Sequence, residues 1–444
     1  MNSLTAFVRR HLGSSRTDEE TETHAAVQEP KELSRDQSPP RVFPSSGFEL
    51  VESSVKLEEE GYSWYSVKDF YPAAIGEVFR DTYQVVAKLG YGSASTTWLC
   101  RDLKNHRYVT LKIYASNQPQ IAREVAALEH INSVLNASRP VKHVGAARIR
   151  TLLDKFEISR PKSSRTNLCL VFEPLGISLG DFRKQVYDGR MRLSLVRATV
   201  WYMLQALDFL HREAKLVHGD IQEDNIMFEF EDPSQLREVE EVEMTEPSPR
   251  KVYNDHAIYS SKLLELQPVL PVLCDFGEAR FGSESYGEEA MPDLYRAPEI
   301  LLRIEWTEKI DIWALGLVLW TLVEGSNLFP DNKGGRWKSA MPHMARIISL
   351  LGQPPEGLLA TWRESTPVYK EFFDKGGDHL VVETSLEAEA TALQGETKAD
   401  FLRFLRRFLE WDHDKRPSAQ ELLKDPWLTQ TDESESDDEE EEDS

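Results

Sequence analysis

Short runs of apolar and β-branched residues dominate the chain between positions 83 and 114. The runs TYQVVAKLG, TTWLCRD and RYVTLKIY have the composition of neighbouring strands. A helical pattern follows, in which Ile121, Val125, Leu128 and Ile131 share one face. Two more apolar strands are predicted near residues 146–158 and 168–172.

The pattern changes from strands to helices after Pro174. One long apolar stripe contains Val196, Val200, Met203, Leu207 and Leu210. A β-rich half thus precedes a helix-rich half, with a hinge near residues 173–176. This order predicts an α+β fold with two lobes.

Composition and charge narrow the class of protein. The chain has 444 residues, 40% hydrophobic and 29% charged, as in a globular protein of more than one domain. Its formal net charge of −23 argues against direct nucleic-acid binding. Its three cysteines form no CxxC pair, which indicates neither a zinc site nor a disulfide framework.

Polar tracts suggest the domain limits. Residues 1–62 and the acidic residues 429–444 are expected to be disordered, and residues 231–261 read as a polar insert. The predicted domains are therefore an N-lobe over 63–173 and a C-lobe over 174–428 that contains the insert. The apolar run Ile312–Val323 suits a buried helix rather than a membrane span.

The predicted location is the cytoplasm, the nucleus or both. An alternative comes from the N-terminus, where Arg9, Arg10 and Arg16 occur with no acid before Asp18. Such a segment resembles a mitochondrial presequence.

The motif LGYGSASTTW, residues 89–98, is the first candidate for chemistry. Gly90 and Gly92 allow backbone N–H groups to approach phosphate oxygens without a Cβ in the way. A dinucleotide fold would need a helix next. The β-branched and aromatic residues that follow indicate a strand instead, so the glycines are predicted to lie in a hairpin that covers phosphates.

A charged pair is predicted beside this hairpin. Lys112 lies inside the apolar run VTLKIY, where burying an ammonium is costly unless it is paired. Glu124, on the following helix, is the candidate partner. The pair would hold Lys112 against the α- and β-phosphates of a nucleotide.

Two further motifs supply carboxylates and an amide. In HGDIQEDNIM, Asp220 and Asn225 have the spacing of a catalytic loop. Asp220 would accept the proton of the attacking hydroxyl and Asn225 would ligate Mg²⁺. In CDFGEAR, Asp275 follows an apolar strand and would provide the other Mg²⁺ contacts.

These motifs occur in order with YRAPEI (residues 295–300), DIWALG (311–316) and Arg416, across about three quarters of the chain. Together they resemble eukaryotic protein kinases. Within that family, GEVFRDTYQVVAKLGYGSASTTWLCRD, LCLVFEPLG and DPWL are similar to the SR-protein kinase group, including fungal members. Ser95 stands where many kinases have a third glycine.

The resemblance implies a monomeric serine/threonine protein kinase of the non-specific type that uses ATP and Mg²⁺. Its expected substrate is a protein with basic segments rich in Arg-Ser. Glu299 would pair with Arg416, and backbone groups of Glu173 and Leu175 would contact adenine. The implied nucleotide-binding hairpin comprises Leu89, Gly90, Tyr91, Gly92, Ser93, Ala94, Ser95 and Thr97.

Two positions depart from the family pattern. Gly219 replaces the arginine that often precedes the catalytic aspartate, so activity is expected not to depend on phosphorylation of the activation loop. Gln222 replaces a lysine that usually lies near the γ-phosphate. Without that positive charge, phosphate transfer could be slow or absent. The main alternative is therefore a weak or inactive pseudokinase that acts as a nucleotide-binding scaffold. A small-molecule kinase is a third reading, because aminoglycoside and choline kinases share the HGD…N pattern.

Overall fold

The computed structural model describes most of the chain. The described residues are 37–116, 120–137, 142–160, 165–186, 188–230, 232, 234–254, 256–262, 268–282, 285–287, 289–329, 340–374 and 380–430. The expected presequence and most of the acidic tail lie outside these residues.

The described residues include twelve strands, labelled in chain order. They are β1 (Val78–Phe79), β2 (Tyr83–Tyr91), β3 (Ser95–Asp102), β4 (Arg107–Tyr114), β5 (Asp154–Ser159), β6 (Thr166–Phe172), β7 (Leu216–Val217), β8 (Ile226–Phe230), β9 (Arg250–Val252), β10 (Ala257–Tyr259), β11 (Pro268–Leu273) and β12 (Arg280–Phe281).

The helices vary greatly in length. The α-helices are Gln120–Leu135, Leu179–Lys184, Leu193–Asp208, Gln235–Thr245, Pro298–Leu301, Lys309–Glu324, Ala340–Leu351, Glu356–Ser365, Pro367–Tyr369, Leu386–Glu389, Gly395–Phe408 and Ala419–Leu422. Short 3₁₀-helices are Glu58–Gly61, Val144–Arg148, Glu223–Asn225, Asp293–Tyr295 and Pro426–Thr429, and π-helical turns are Phe209–Ala214 and Lys370–Asp374.

The chain divides into two compact units. Among the described residues, the first contains those within 1–118, 152–176 and 230–267, and the second contains those within 119–151, 177–229 and 268–444. A β-rich unit and a helix-rich unit confirm the predicted α+β class.

The first unit is built on one antiparallel sheet in the order β1-β2-β3-β4-β6-β5. Alternate residues of its strands form a core in which Val85, Trp98, Leu111 and Val171 are buried. A two-stranded hairpin, β9–β10, belongs to the same unit.

The second unit is arranged around the helix Lys309–Glu324. All of its residues after Lys309 are buried, because it is apolar on every side. The helix ends at Gly325, whose φ of 76° gives the left-handed turn that closes a helix without a Cβ penalty. Within the described residues, no helix combines the length and the apolarity needed to cross a membrane.

The expected disorder up to residue 62 is wrong for residues 37–62. Val51 N–H donates to the carbonyl of Arg250 over 3.0 Å, and Arg250 N–H donates to Glu49 over 3.0 Å. The acidic run at 58–60 forms a 3₁₀-helix whose carboxylates meet basic residues far along the chain. These acids therefore lie against the first unit instead of remaining fully solvated.

The insert at 231–261 was expected in the C-lobe, and this placement is also wrong. It forms the helix Gln235–Thr245 and the β9–β10 hairpin, and it belongs to the β-rich unit. Leu236 of the helix packs with Val86 and Leu99, and the buried Glu240 pairs with Arg41 at 3.1 Å. Paired charges explain why so polar a segment packs.

Two smaller expectations differ as well. The strand predicted near residue 146 is instead the 3₁₀-helix Val144–Arg148, and β5 begins only at Asp154. The helix Gln120–Leu135, expected in the N-lobe, groups with the second unit.

Candidate active site

The glycine motif lies in a hairpin of the first unit, as the β-branched residues that follow it predicted. Gly90 pairs with Thr97 across β2 and β3, and Gly92 N–H donates to the carbonyl of Ser95 over 2.8 Å to close the turn. Among the described residues, no atom lies within 4 Å of where a Cβ would stand on Gly90. Packing within the chain therefore does not require this glycine, whereas a ligand approaching the backbone would.

The remaining hairpin residues differ in exposure. Tyr91 and Ser93 are exposed at the tip, and Ser95 is buried at the start of β3. Three others, Leu89, Ala94 and Thr97, are half-buried.

Lys112 lies on β4, in register with Thr97 of β3 and Leu170 of β6. Paired residues on adjacent strands share a face of the sheet, so Lys112 and Thr97 project together. The Lys112 ammonium lies 4.9 Å from the ring centroid of Tyr114. Glu124 is buried on the helix Gln120–Leu135 of the second unit, and its pairing with Lys112 stays a prediction.

Glu173 and Leu175 follow β6 at the end of the first unit. The Glu173 carboxylate accepts from Arg107 over 2.6 Å, and Leu175 is buried. The expected adenine contacts use their backbone groups and stay a prediction.

In the second unit, a buried carboxylate fixes the loop that carries Asp220. The backbone N–H groups of His218 and Gly219 each donate over 2.8 Å to Asp311, on the helix Lys309–Glu324. His211 also contacts Asp311, at 2.9 Å. The sequence pattern identified Asp311 within a family motif but not this anchoring role. An aspartate inside an apolar helix was the signal that could have indicated it.

Asp220 is held by two amides. Gln222 donates to its Oδ1 over 2.9 Å, and Asn225 donates to its Oδ2 over 2.8 Å. Burial raises the pKa of Asp220 to about 7; the negative charges of Asp275 and Glu278 also raise the pKa, and the two amide hydrogen bonds oppose this. The carboxylate is therefore a stronger base than an ordinary aspartate.

Asn225 and Asp275 are brought together by β8 and β11. The N–H of Cys274 donates to the carbonyl of Asn225 over 2.8 Å, which places the next residue, Asp275, beside the loop. Because the amide nitrogen of Asn225 donates to Asp220, its side-chain oxygen is the atom left to ligate a cation. A carboxylate and an amide oxygen suit Mg²⁺, so these residues fit the expected metal.

The segment after Asp275 is also fixed within the second unit. Glu278 forms an ion pair with Arg123 at 2.8 Å. Gly219 has a φ of 76°, and a Cβ on it would lie 2.8 Å from the carbonyl oxygen of Glu278. Glycine at this position therefore permits a close backbone approach that the usual arginine would strain.

The predicted pair of Glu299 and Arg416 is present in the second unit. Arg416 donates to both carboxylate oxygens of Glu299, over 2.7 and 3.1 Å, and both side chains are almost fully buried. Arg416 also donates to the backbone carbonyls of Lys309 and Glu410. This pair joins the start of the helix Pro298–Leu301 to the C-terminal part of the unit.

The chain is similar to several known proteins. Residues 83–428 match the protein kinase domain family. A serine/threonine protein kinase of Aspergillus fumigatus (strain CEA10) is 39% identical over 401 residues, covering 88% of this chain and 95% of the fungal protein. The serine/threonine-protein kinase SRPK of Physarum polycephalum is 26% identical over 406 residues, covering 84% and 91%.

A solved structure is similar in fold. The crystal structure of a kinase domain matches with a TM-score of 0.61 at 23% identity, covering 81% of this chain and 98% of that one.

Proposed function

This chain belongs to the protein kinase family, and from that premise we propose that it transfers the γ-phosphate of ATP to serine or threonine hydroxyls of protein substrates. The observation that supports this best is Asp220, a carboxylate oriented by two amides in a loop anchored on Asp311. A scaffold without turnover would have no need of that orientation.

Asp220 carries the proton transfer in this proposal. Its carboxylate accepts the proton of the substrate hydroxyl as the hydroxyl oxygen attacks the γ-phosphorus. The new P–O bond forms while the bond to the β-phosphate oxygen breaks, and ADP leaves. Asn225 and Asp275 would hold Mg²⁺, which supplies positive charge to the phosphates.

The first unit would bind the nucleotide. The backbone N–H groups of the hairpin at 89–97 would receive the phosphates, and Lys112, whose predicted partner is Glu124, would neutralise their charge. Backbone groups of Glu173 and Leu175 receive the adenine. Gly90 supports this assignment, because among the described residues the space beside it is open to a ligand that approaches the backbone.

Gln222 favours a second candidate, a kinase of low activity that acts mainly as a nucleotide-binding scaffold. Its amide keeps a hydrogen bond to Asp220 but brings no positive charge. We propose that transfer persists, because Asp220 remains oriented.

A further proposal concerns the class of protein substrate. Similarity to the SRPK of Physarum polycephalum and the acidity of this chain support basic, Arg-Ser-rich protein segments as substrates. We further propose a monomer that resides in the cytoplasm, the nucleus or both and binds no nucleic acid directly.

The test is phosphate transfer by the purified full chain with ATP and Mg²⁺ on peptide arrays. Phosphoserine or phosphothreonine, with Arg-Ser peptides preferred, is the expected product. Nucleotide binding without transfer would indicate the scaffold. Transfer to choline or an aminoglycoside, but not to peptides, would indicate a small-molecule kinase. Equal rates on Arg-Ser and on Arg-free acidic peptides would exclude the substrate proposal alone.

A further inference from the structure

The tip of the glycine hairpin receives contacts from a segment that precedes the sheet. We call residues 58–64 the clamp segment. The indole N–H of Trp64 donates to the carbonyl of Ser93 at the tip, over 3.3 Å. The ring of Tyr62 stacks on Trp64 at 5.0 Å and meets the edge of Tyr91 at 6.0 Å. Two aromatic side chains therefore support a turn that has little packing of its own.

The clamp segment is also joined to the strand that leads into the hairpin. Lys88, which is 1% exposed, forms ion pairs with Glu59 and, at 3.1 Å, with Glu58. Its ammonium also lies 5.5 Å from the ring centroid of Tyr91. Removing Lys88 would leave the buried Glu59 carboxylate without its cation, so the segment is strongly held at this point.

The β9–β10 region of the insert also holds the clamp segment. Glu60 accepts from Lys251 over 3.0 Å and from Tyr253 over 2.6 Å. Glu58 accepts from the backbone N–H and the hydroxyl of Ser261, both over 2.6 Å. The insert thus gives the clamp segment a fixed base within the first unit.

The contact at Ser93 orients the backbone of the tip. A trans peptide plane directs its C=O and its N–H to opposite sides. When the carbonyl of Ser93 points to Trp64, the N–H of Ala94 is turned the other way. That N–H is one of the groups that a phosphate would meet in a glycine-rich hairpin.

We propose that the clamp segment positions the glycine hairpin for the phosphates of ATP, with Trp64 and Tyr62 as its positioning residues. This inference rests on the proposed kinase function. The insert contributes by holding the clamp segment, which gives a role to both of the polar tracts that the β-rich unit includes.

Nucleotide binding by the purified full chain tests this proposal. We expect Trp64→Ala to raise both the Kd and the KM for ATP by about five- to twentyfold, through loss of a hydrogen bond and a stacked ring. Trp64→Phe keeps the ring without the donor and should lie between Trp64→Ala and wild type. The KM for peptide and the Tm without nucleotide should stay unchanged. Val42→Ala is the matched control, because Val42 lies in the same extension and is 88% exposed.

The outcomes separate this inference from the proposed function. A wild-type protein that fails to bind ATP would contradict the kinase proposal itself. If wild type binds and Trp64→Ala binds within twofold of it, the clamp is refuted. Equal losses for ATP and peptide with a lowered Tm would also refute it, since they indicate general destabilisation.

Discussion

Gln222 provides the sharpest test of how the site acts. Its amide is one of two side-chain donors to the Asp220 carboxylate, at 2.9 Å, and Asn225 is the other, at 2.8 Å. A hydrogen bond to a charged acceptor contributes about 1.5–3 kcal/mol. If half of that is expressed in the transition state, Gln222→Ala lowers kcat by about three- to tenfold.

Gln222→Lys is the complementary change. It keeps a donor beside Asp220 and adds a positive charge where negative charge develops during transfer. We therefore expect kcat to rise by about tenfold over wild type.

The assay is single-turnover phosphate transfer at saturating ATP, which separates chemistry from product release. Gln420→Ala is the control, because Gln420 is exposed on the short helix Ala419–Leu422. The transfer rate is expected to be highest with lysine at position 222, intermediate with glutamine and lowest with alanine. A Gln222→Ala rate equal to wild type, or a Gln222→Lys rate below that of Gln222→Ala, would show that the side chain at 222 does not assist transfer in this way.

Three further predictions concern stability, each measured by urea unfolding. Arg416→Met should lower the unfolding free energy by about 3–5 kcal/mol, because it leaves Glu299 buried and unpaired. Adding Glu299→Leu should restore more than half of the lost free energy. Effects of the two substitutions that simply add would contradict this. Gly219→Ala should cost at least about 1–2 kcal/mol, because its φ is positive and its Cβ would lie 2.8 Å from the carbonyl oxygen of Glu278, so an unchanged midpoint would exclude strain there. Burial lowers the pKa of His343 to about 3, so the unfolded state binds its proton first as pH falls below the usual 6.5. The His343 contribution to the unfolding free energy should therefore decline by about 1.4 kcal/mol per pH unit below 6.5, and His343→Gln should remove this contribution from the pH dependence of wild type. An identical pH dependence in that variant would show that His343 is not responsible.

The motifs that predicted the site are local in sequence, which explains why they could be identified. The glycine hairpin depends on Gly90 and the β-branched residues just after it, and the family match over residues 83–428 confirms the resemblance to protein kinases. The predicted two-lobed fold is confirmed for the same reason, since strand and helix periodicities are short-range signals.

The features that the sequence did not indicate are those that depend on contacts between distant residues. Composition alone predicted a solvated, disordered segment for the acids of the clamp segment, because composition does not identify their basic partners. Glu60 pairs with Lys251, which is 191 residues away. Asp311 likewise acts through backbone groups about 90 residues earlier, at His218 and Gly219. Periodicity carries no information about such pairings.

Asp220 is the residue on which the proposed kinase activity depends. The most direct measurement compares phosphate transfer and ATP binding for wild type and Asp220→Asn, with Asp414→Asn as control because Asp414 is 86% exposed. We expect Asp220→Asn to retain ATP binding while transfer falls by about 10²-fold or more. Wild-type protein that binds ATP without transfer, or transfer that survives in Asp220→Asn, would contradict it.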